Sequence, residues 1–346
     1  LDYARFISKS ARDFALLQSR ILRRYIKEGD FITTNGQFDH LDNHELTKES
    51  LDFYTYDSYP NMAYNADGGR QLSGLRDRES SQNLSEVRSV SRIFGIMEQQ
   101  SGPNGWTTCM AAPAPKPGQM TLWTMQSIAH GADYVSFFRW RTCTFGTEMY
   151  WHGVLDYSGR ENRRIAELRD IRQKLNLIQE AAGGRYQAEV AVVKDYDNGW
   201  DLRIDMWHRD LEAVSQPAIF AAAQKSHTPL DYVYLSDGGA STPLSSYKVL
   251  IYAHPCIMTE ARAAMLEEYV AEGGILILGC RSGYKDLDGH CVMQYLPGLL
   301  RPLSGTDIPE FTRTCPGDSP VRIRWGGKSF EAPVFNDILQ PLAEDT

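Results

Sequence analysis

Residues 93–100 read Ile93-Phe94-Gly95-Ile96-Met97-Glu98-Gln99-Gln100, and Ser101-Gly102-Pro103-Asn104-Gly105-Trp106 follows at once. A short apolar run closed by turn residues reads as a buried strand. This one stops at a carboxylate, so Glu98 stands at a strand end. In a barrel of alternating parallel strands and helices, the chemistry sits at the C-terminal ends of the strands.

The flanking sequence repeats the unit. Upstream, residues 1–27 read as a helix with Ala11, Phe14, Leu17, Ile21 and Tyr25 on one face. Phe31-Ile32-Thr33-Thr34 reads as a strand, 46–51 as a short helix, and Phe53-Tyr54-Thr55-Tyr56 as a strand ending at Asp57-Ser58-Tyr59-Pro60. A polar loop over 61–80 carries Gly68-Gly69, and a helix over 81–92 leads into the Glu98 strand. Downstream come a Pro- and Gly-rich loop (101–118), a helix (119–130), a strand (134–140) and a long amphipathic helix (159–182). Four strand-then-helix units imply parallel strands with covering helices. Gly183-Gly184 marks a boundary. The pattern then restarts with strands at 190–193, 230–235, 247–252 and 274–278 and helices at 208–225 and 260–271, which reads as a small doubly wound α/β domain. The chain opens on Leu1 inside a helical pattern and stops after Thr346 without a closing element. It therefore reads as an internal piece of a longer protein.

Composition narrows the partners. With 42% hydrophobic and 23% charged residues the chain is an ordinary globular one, and its net charge of −8 argues against nucleic acid or an anionic membrane. No apolar run approaches the length of a membrane span, and Leu1-Asp2-Tyr3-Ala4-Arg5 lacks the apolar core of a signal peptide. Six cysteines at wide spacing, with no CxxC, support neither a zinc site nor a disulfide framework and fit a reducing cytoplasm. No cofactor and no metal are expected.

A carboxylate with an indole eight residues on, Glu98 and Trp106, suits a sugar. The apolar face of a pyranose stacks on the ring while the acid works at the anomeric carbon. On spacing alone, an ion pair of Glu98 with Arg92 or Arg139 reads equally well. Tyr59 precedes a proline, which fixes an extended backbone and aims the phenol; a core tyrosine is the alternative. Arg139 and Arg141 share one strand face and Trp140 takes the other. Asp39-His40-Leu41-Asp42-Asn43-His44 has metal-ligand residue types but reads as a polar turn. Cys256 beside His254 lacks the glycine-framed elbow of a nucleophile, so both read as structural.

Taken together, Met97-Glu98-Gln99-Gln100 with Trp106, Phe138-Arg139-Trp140-Arg141, Phe145-Gly146-Thr147-Glu148-Met149-Tyr150-Trp151-His152-Gly153 and Asp57-Ser58-Tyr59-Pro60 resemble glycoside hydrolase family 42, mostly β-galactosidases. The resemblance covers nearly the whole chain. It implies that residues 1–183 are strands five to eight of a (β/α)8 TIM barrel. Residues 184–346 would be a flavodoxin-like or amidotransferase-like α/β trimerisation domain, truncated at its C-terminus. It further implies a β-galactoside substrate, a homotrimer, Glu98 as nucleophile, and Tyr59, Trp106, Glu148 and His152 as substrate-binding groups. Glu148 and His152 stand four apart, where the family's usual spacing is three, which makes the His152 contact the less secure. The family's acid/base glutamate follows an asparagine at the end of the fourth strand. No such pair occurs here, so the expected position lies upstream of Leu1. A sugar-binding or scaffolding chain without catalysis is the alternative.

Overall fold

The computed structural model describes residues 1–36, 40–61, 78–109, 111–315, 317–319, 321–332 and 334–343. The chain divides into two compact units, one of Lys9–Gln187 and one of Leu1–Ser8 with Ala188–Thr346.

The first unit begins within α1 (Asp2–Leu22). Then come α2 (Asn43–Ser50), β1 (Tyr54–Ser58), α3 (Glu79–Val90), β2 (Phe94–Gln100), the short ribbon β3 (Asn104–Gly105) with β4 (Ala111–Ala112), α4 (Gln119–Ala129), β5 (Tyr134–Phe138) and α5 (Arg163–Leu177). The sheet runs β1-β2-β5, all parallel, as helical crossovers between neighbouring strands require. Tyr54, Phe94 and Ile96 pack with Leu84 and Val87 of α3, which defines the helix-facing side of the sheet.

The expected strand over 31–34 is reduced to one parallel bridge, Asn35 to Thr55. Its backbone groups are used otherwise: Ile32 N–H donates to Asp52 Oδ2, and the Thr34 carbonyl accepts from Thr55 Oγ1. The helix expected over 159–182 is α5 followed by a turn of 3-10 helix at Gln179–Ala181. The strand expected to reach residue 140 stops at Phe138, so Arg139, Trp140 and Arg141 do not alternate as strand residues. Most of the loop expected over 61–80 lies outside the described residues.

One irregularity positions the site. Against β1, Tyr56 pairs with Ile96 and Asp57 with Glu98; against β5, Ile96 pairs with Val135 and Gln99 with Phe137. β2 therefore carries one extra residue relative to both neighbours, a bulge at Met97/Glu98. Bulges reverse which face the following side chains take and concentrate near functional sites.

The second unit holds β6 (Val190–Lys194), α6 (Tyr196–Asp201), α7 (Met206–Lys225), β7 (Leu230–Ser236), β8 (Gly239–Ala240), β9 (Val249–Tyr252), α8 (Glu260–Ala271), β10 (Ile275–Leu278), α9 (Arg301–Ser304) and β11 to β14 (Thr306–Arg313, Val321–Trp325, Lys328–Ala332, Phe335–Pro341). Its five-stranded sheet, β10-β9-β6-β7-β8, is parallel except for β8. The antiparallel pairs β11·β14 and β12·β13 carry no forecast in the sequence reading. Their side chains are largely exposed, so no alternating buried face announces them.

Candidate active site

Glu98 lies two residues before the end of β2, not past it, and the bulge decides its direction. Plain alternation would put Glu98 on the same side as Phe94 and Ile96, against α3. With one residue inserted it takes the other side, that of Thr55 and Asp57 on β1. The contacts agree. Glu98 Oε2 accepts a hydrogen bond from the Tyr59 hydroxyl at 2.6 Å, and Oε1 faces the Asn35 side-chain nitrogen at 3.5 Å. That same nitrogen donates to both oxygens of Asp57 at 2.8 Å. Among the described residues no lysine or arginine forms an ion pair with Glu98; Arg139 turns to Glu148 instead.

The Tyr59 ring links this carboxylate to two indoles in turn. The Tyr59 ring meets Trp151 edge-on at 5.1 Å, and Trp151 lies 6.2 Å from Trp106 at an interplanar angle of 39°. Trp151 is 7% exposed and Trp106 is 39%, so Trp151 is the buried ring of the pair and Trp106 the exposed one. With the Asn104 amide oriented to satisfy the Gly102 carbonyl, Trp151 Nε1 donates to Asn104 Oδ1 at 2.8 Å. Gln100 ties the surrounding loops together: its Oε1 accepts from Asn61 N, and its Nε2 donates to the carbonyls of Gly102 and Pro113.

Glu148 pairs with Arg139 at 3.3 Å, and the same guanidinium donates to the Glu148 carbonyl at 3.1 Å. Its loop joins that of Trp106 through Thr107 N to the Thr147 carbonyl, 2.9 Å. The His152 ring contacts the Tyr157 hydroxyl at 3.3 Å, and its backbone N–H donates to the Pro103 carbonyl. Glu98, Tyr59 and Trp106 are thus joined through Trp151. Glu148 stands on the adjoining loop with its charge on Arg139, and the His152 ring is engaged with Tyr157. A separate hollow of about 460 Å³, lined by Trp140, Leu155, Ile165 and Arg169 among others, includes none of the five.

Electrostatics separate the groups. Burial, then the hydrogen bond to Glu98, pushes the Tyr59 phenol far above its ordinary range, so it remains an O–H donor. Burial raises the Asp57 carboxyl to about 6, with the Glu98 charge adding to the rise and the Asn35 hydrogen bond opposing it. Trp151, Asn35 and Asp57 are absent from the candidates read in the sequence. Asp57 and Trp151 do sit inside quoted motifs. For Asn35 the only cue is its position after a threonine pair at a strand end.

The other sequence candidates are structural. Asp42 caps α2 through Glu45 N–H, and His44, pushed down to about 4 by burial, faces the Ser89 carbonyl. Asp39 lies outside the described residues. In the second unit, burial pushes the Cys256 thiol up to about 11, while the His254 ring turns to Ser215 and the Cys280 carbonyl. That is no activated nucleophile. Asp201, His208 and Cys256 present ligand atoms within 4.8 Å of one another. The Lys285 ammonium already occupies the cation position, donating to both Asp201 oxygens at 2.8 and 2.9 Å.

A carboxylate near the C-terminal end of a parallel barrel strand, held by a phenol that packs against an indole pair, is an arrangement that suits a carbohydrate-active barrel protein. Comparison with known proteins is more specific. The glycoside hydrolase family 42 description, "Beta-galactosidase", matches residues 1–178, and "Beta-galactosidase trimerisation domain" matches residues 188–346. The chain belongs to glycoside hydrolase family 42. It is 30% identical over 348 residues to β-galactosidase BgaA of Clostridium cellulovorans, covering 99% of this chain and 50% of that protein. The β-galactosidase bgaB of Geobacillus kaustophilus is 30% identical over 354 residues, again with 99% and 50% covered. The solved β-galactosidase of Halorubrum lacusprofundi superposes with a TM-score of 0.83 at 27% identity over 99% of this chain and 50% of that one. The chain spans about half the length of the curated relatives it matches. Its fold is a (β/α)8 barrel portion followed by the family's trimerisation domain. No helix among the described residues is long and apolar enough to cross a membrane.

Proposed function

We propose that the chain is part of a retaining β-galactosidase in which Glu98 is the nucleophile. The observation that carries this is the Glu98 carboxylate on the sheet face away from α3, bound by Tyr59 at 2.6 Å and, among the described residues, paired with no lysine or arginine. Such a carboxylate keeps its electron pairs available. It attacks the anomeric carbon of a terminal galactosyl residue as the bond to the aglycone oxygen breaks and that oxygen takes a proton from a second carboxyl group. The same second group, now a base, removes a proton from water. The water attacks the glycosyl-enzyme and frees Glu98. The acid/base glutamate lies outside the 346 residues. Asp57, bound through both oxygens by Asn35, is not a substitute for it.

Trp106 stacks on the apolar face of the sugar with Trp151 behind it, and Tyr59 orients Glu98. Glu148 and, with its altered spacing, His152 bind sugar hydroxyls. Residues 1–183 form the catalytic domain and 184–346 the trimerisation domain of a homotrimer acting in the cytoplasm. The test is Glu98→Gln and Glu98→Ala in the full-length protein. Turnover of nitrophenyl β-galactoside is expected to fall by several orders of magnitude with the fold retained, and azide is expected to restore the Ala variant with inverted product stereochemistry. Near-normal activity of Glu98→Gln assigns the nucleophile elsewhere.

A further inference from the structure

Glu98 is held from two sides by neutral donors, and only one of them is covered by the mechanism. Tyr59 holds Oε2; the amide of Asn35 faces Oε1. We propose that Asn35 is a positioning residue for Glu98 and that Asp57 acts through it, by fixing which end of the amide points at the nucleophile. The proposal rests on Glu98 being that nucleophile.

An amide can turn over, exchanging its nitrogen and oxygen with little change of shape. Left alone, Asn35 could present either end to Glu98. Asp57 removes the choice. An ionised carboxylate only accepts, and both of its oxygens sit 2.8 Å from the Asn35 nitrogen. Turning the amide over would set its carbonyl against two carboxylates at once. The bulge in β2 makes the arrangement possible, because it sets Glu98 directly opposite Asp57.

The backbone of Asn35 is pinned as well. It bridges Thr55 of β1, and Gly36 N–H donates to the Thr55 carbonyl at 3.0 Å. Gly36 has to be glycine, since a Cβ there would lie 1.7 Å from the Tyr54 hydroxyl. Among the described residues, the ionisable groups that act on Asp57 are Glu98 across the sheet and Tyr54, Tyr56 and Tyr59 on or just after its own strand. The tyrosines stay neutral near neutrality, so Glu98 is the charge that matters. Protonating Asp57 removes part of the clamp and lets the amide turn.

The experiment measures kcat, KM and the pH profile of the full-length protein on nitrophenyl β-galactoside for Asn35→Ala, Asp57→Asn and the double variant, with Glu98→Gln alongside. Each single variant is expected to lose roughly tenfold in kcat, the low end for a hydrogen bond to a charged group because the Asn35 contact is long, with KM within about threefold. The double variant should be no worse than Asn35→Ala, since Asp57 acts only through the amide. The wild-type inflection near pH 6 should vanish in Asn35→Ala, which a merely structural contact would not achieve. Asp57→Asn is isosteric and keeps the test open should Asn35→Ala fail to fold. Wild-type kcat in Asp57→Asn, or losses that add in the double variant, overturns the proposal while a dead Glu98→Gln leaves the glycosidase reading standing. An active Glu98→Gln removes both.

Discussion

Replacing Tyr59 by phenylalanine removes one atom from the site and almost nothing else. The ring keeps its edge-on packing against Trp151 at 5.1 Å, so the wall of the site survives. What disappears is the 2.6 Å hydrogen bond to Glu98 Oε2. A hydrogen bond to a charged group contributes about 1.5–3 kcal/mol, which is about 10- to 150-fold in rate if it is all expressed in the transition state. Water can enter the half-exposed position and recover part of this, so a loss of about tenfold to thirtyfold in kcat is expected, with KM changed little. Tyr59 remains protonated well beyond its ordinary range, so the loss should be the same at pH 6 and pH 9. The assay is steady-state hydrolysis of lactose and of nitrophenyl β-galactoside by the full-length variant, beside a thermal melt. Activity within twofold of wild type, with an unchanged melt, would falsify the view that Tyr59 orients the nucleophile. A loss confined to alkaline pH would assign it a proton-transfer role instead.

Two further outcomes follow from groups outside the site. Burial raises Asp42 to about 6, so its ionisation between the unfolded value near 3.8 and about 6 costs the folded state stability as pH rises. Asp42→Asn keeps an N-cap for α2 and loses that cost. It should be more stable than wild type by roughly 1–2 kcal/mol at pH 7 and lose the advantage by pH 4 in urea melts; an equal difference at both pH values contradicts the assignment. Cys256 and Cys280 of the second unit are pushed up to about 11 and about 12 by burial, whereas Cys109 of the first unit and Cys291 and Cys315 of the second are exposed. Iodoacetamide at pH 8 should label the exposed three first, as read by peptide mass mapping; labelling of Cys256 at the same rate would mean that its environment opens.

The elements that could be read in the sequence are those with a strong apolar period and a buried face. α8 was legible to the residue, and β6 and β7 nearly so, because Val192 and Tyr232 have no exposed surface; β2 was legible through its buried Phe94 and Ile96 but runs on to Gln100, past the expected end at the carboxylate. The hairpins after residue 305 were not, because exposed antiparallel strands carry no burial pattern. The stretch over 31–34 has β-branched residues but only one ladder contact, and propensity cannot count partners. At the candidate site, strand ends and turn residues single out Glu98, Tyr59 and Trp106 in the sequence, and the structure links Glu98 to Tyr59 directly and Tyr59 to Trp106 through Trp151. Asn35 and Trp151 are not singled out in this way, because what makes them part of the site is a neighbour across space. The bulge was invisible for a related reason. Register is a property of two chain segments, and no composition of one segment encodes it.

The extra residue in β2 lets Ile96 and Glu98 stand two apart in sequence and still face opposite sides of the sheet. Deleting Met97 would cost the chain one half-exposed side chain and return β2 to an even ladder with both neighbours, a change the sheet can absorb. Glu98 would then follow Ile96 directly and, by plain alternation, stay opposite Asp57 on the face away from α3. The direction of this carboxylate is therefore insensitive to loss of the inserted residue, and a sequence one codon shorter between Ile96 and Glu98 would present the same group to the same face.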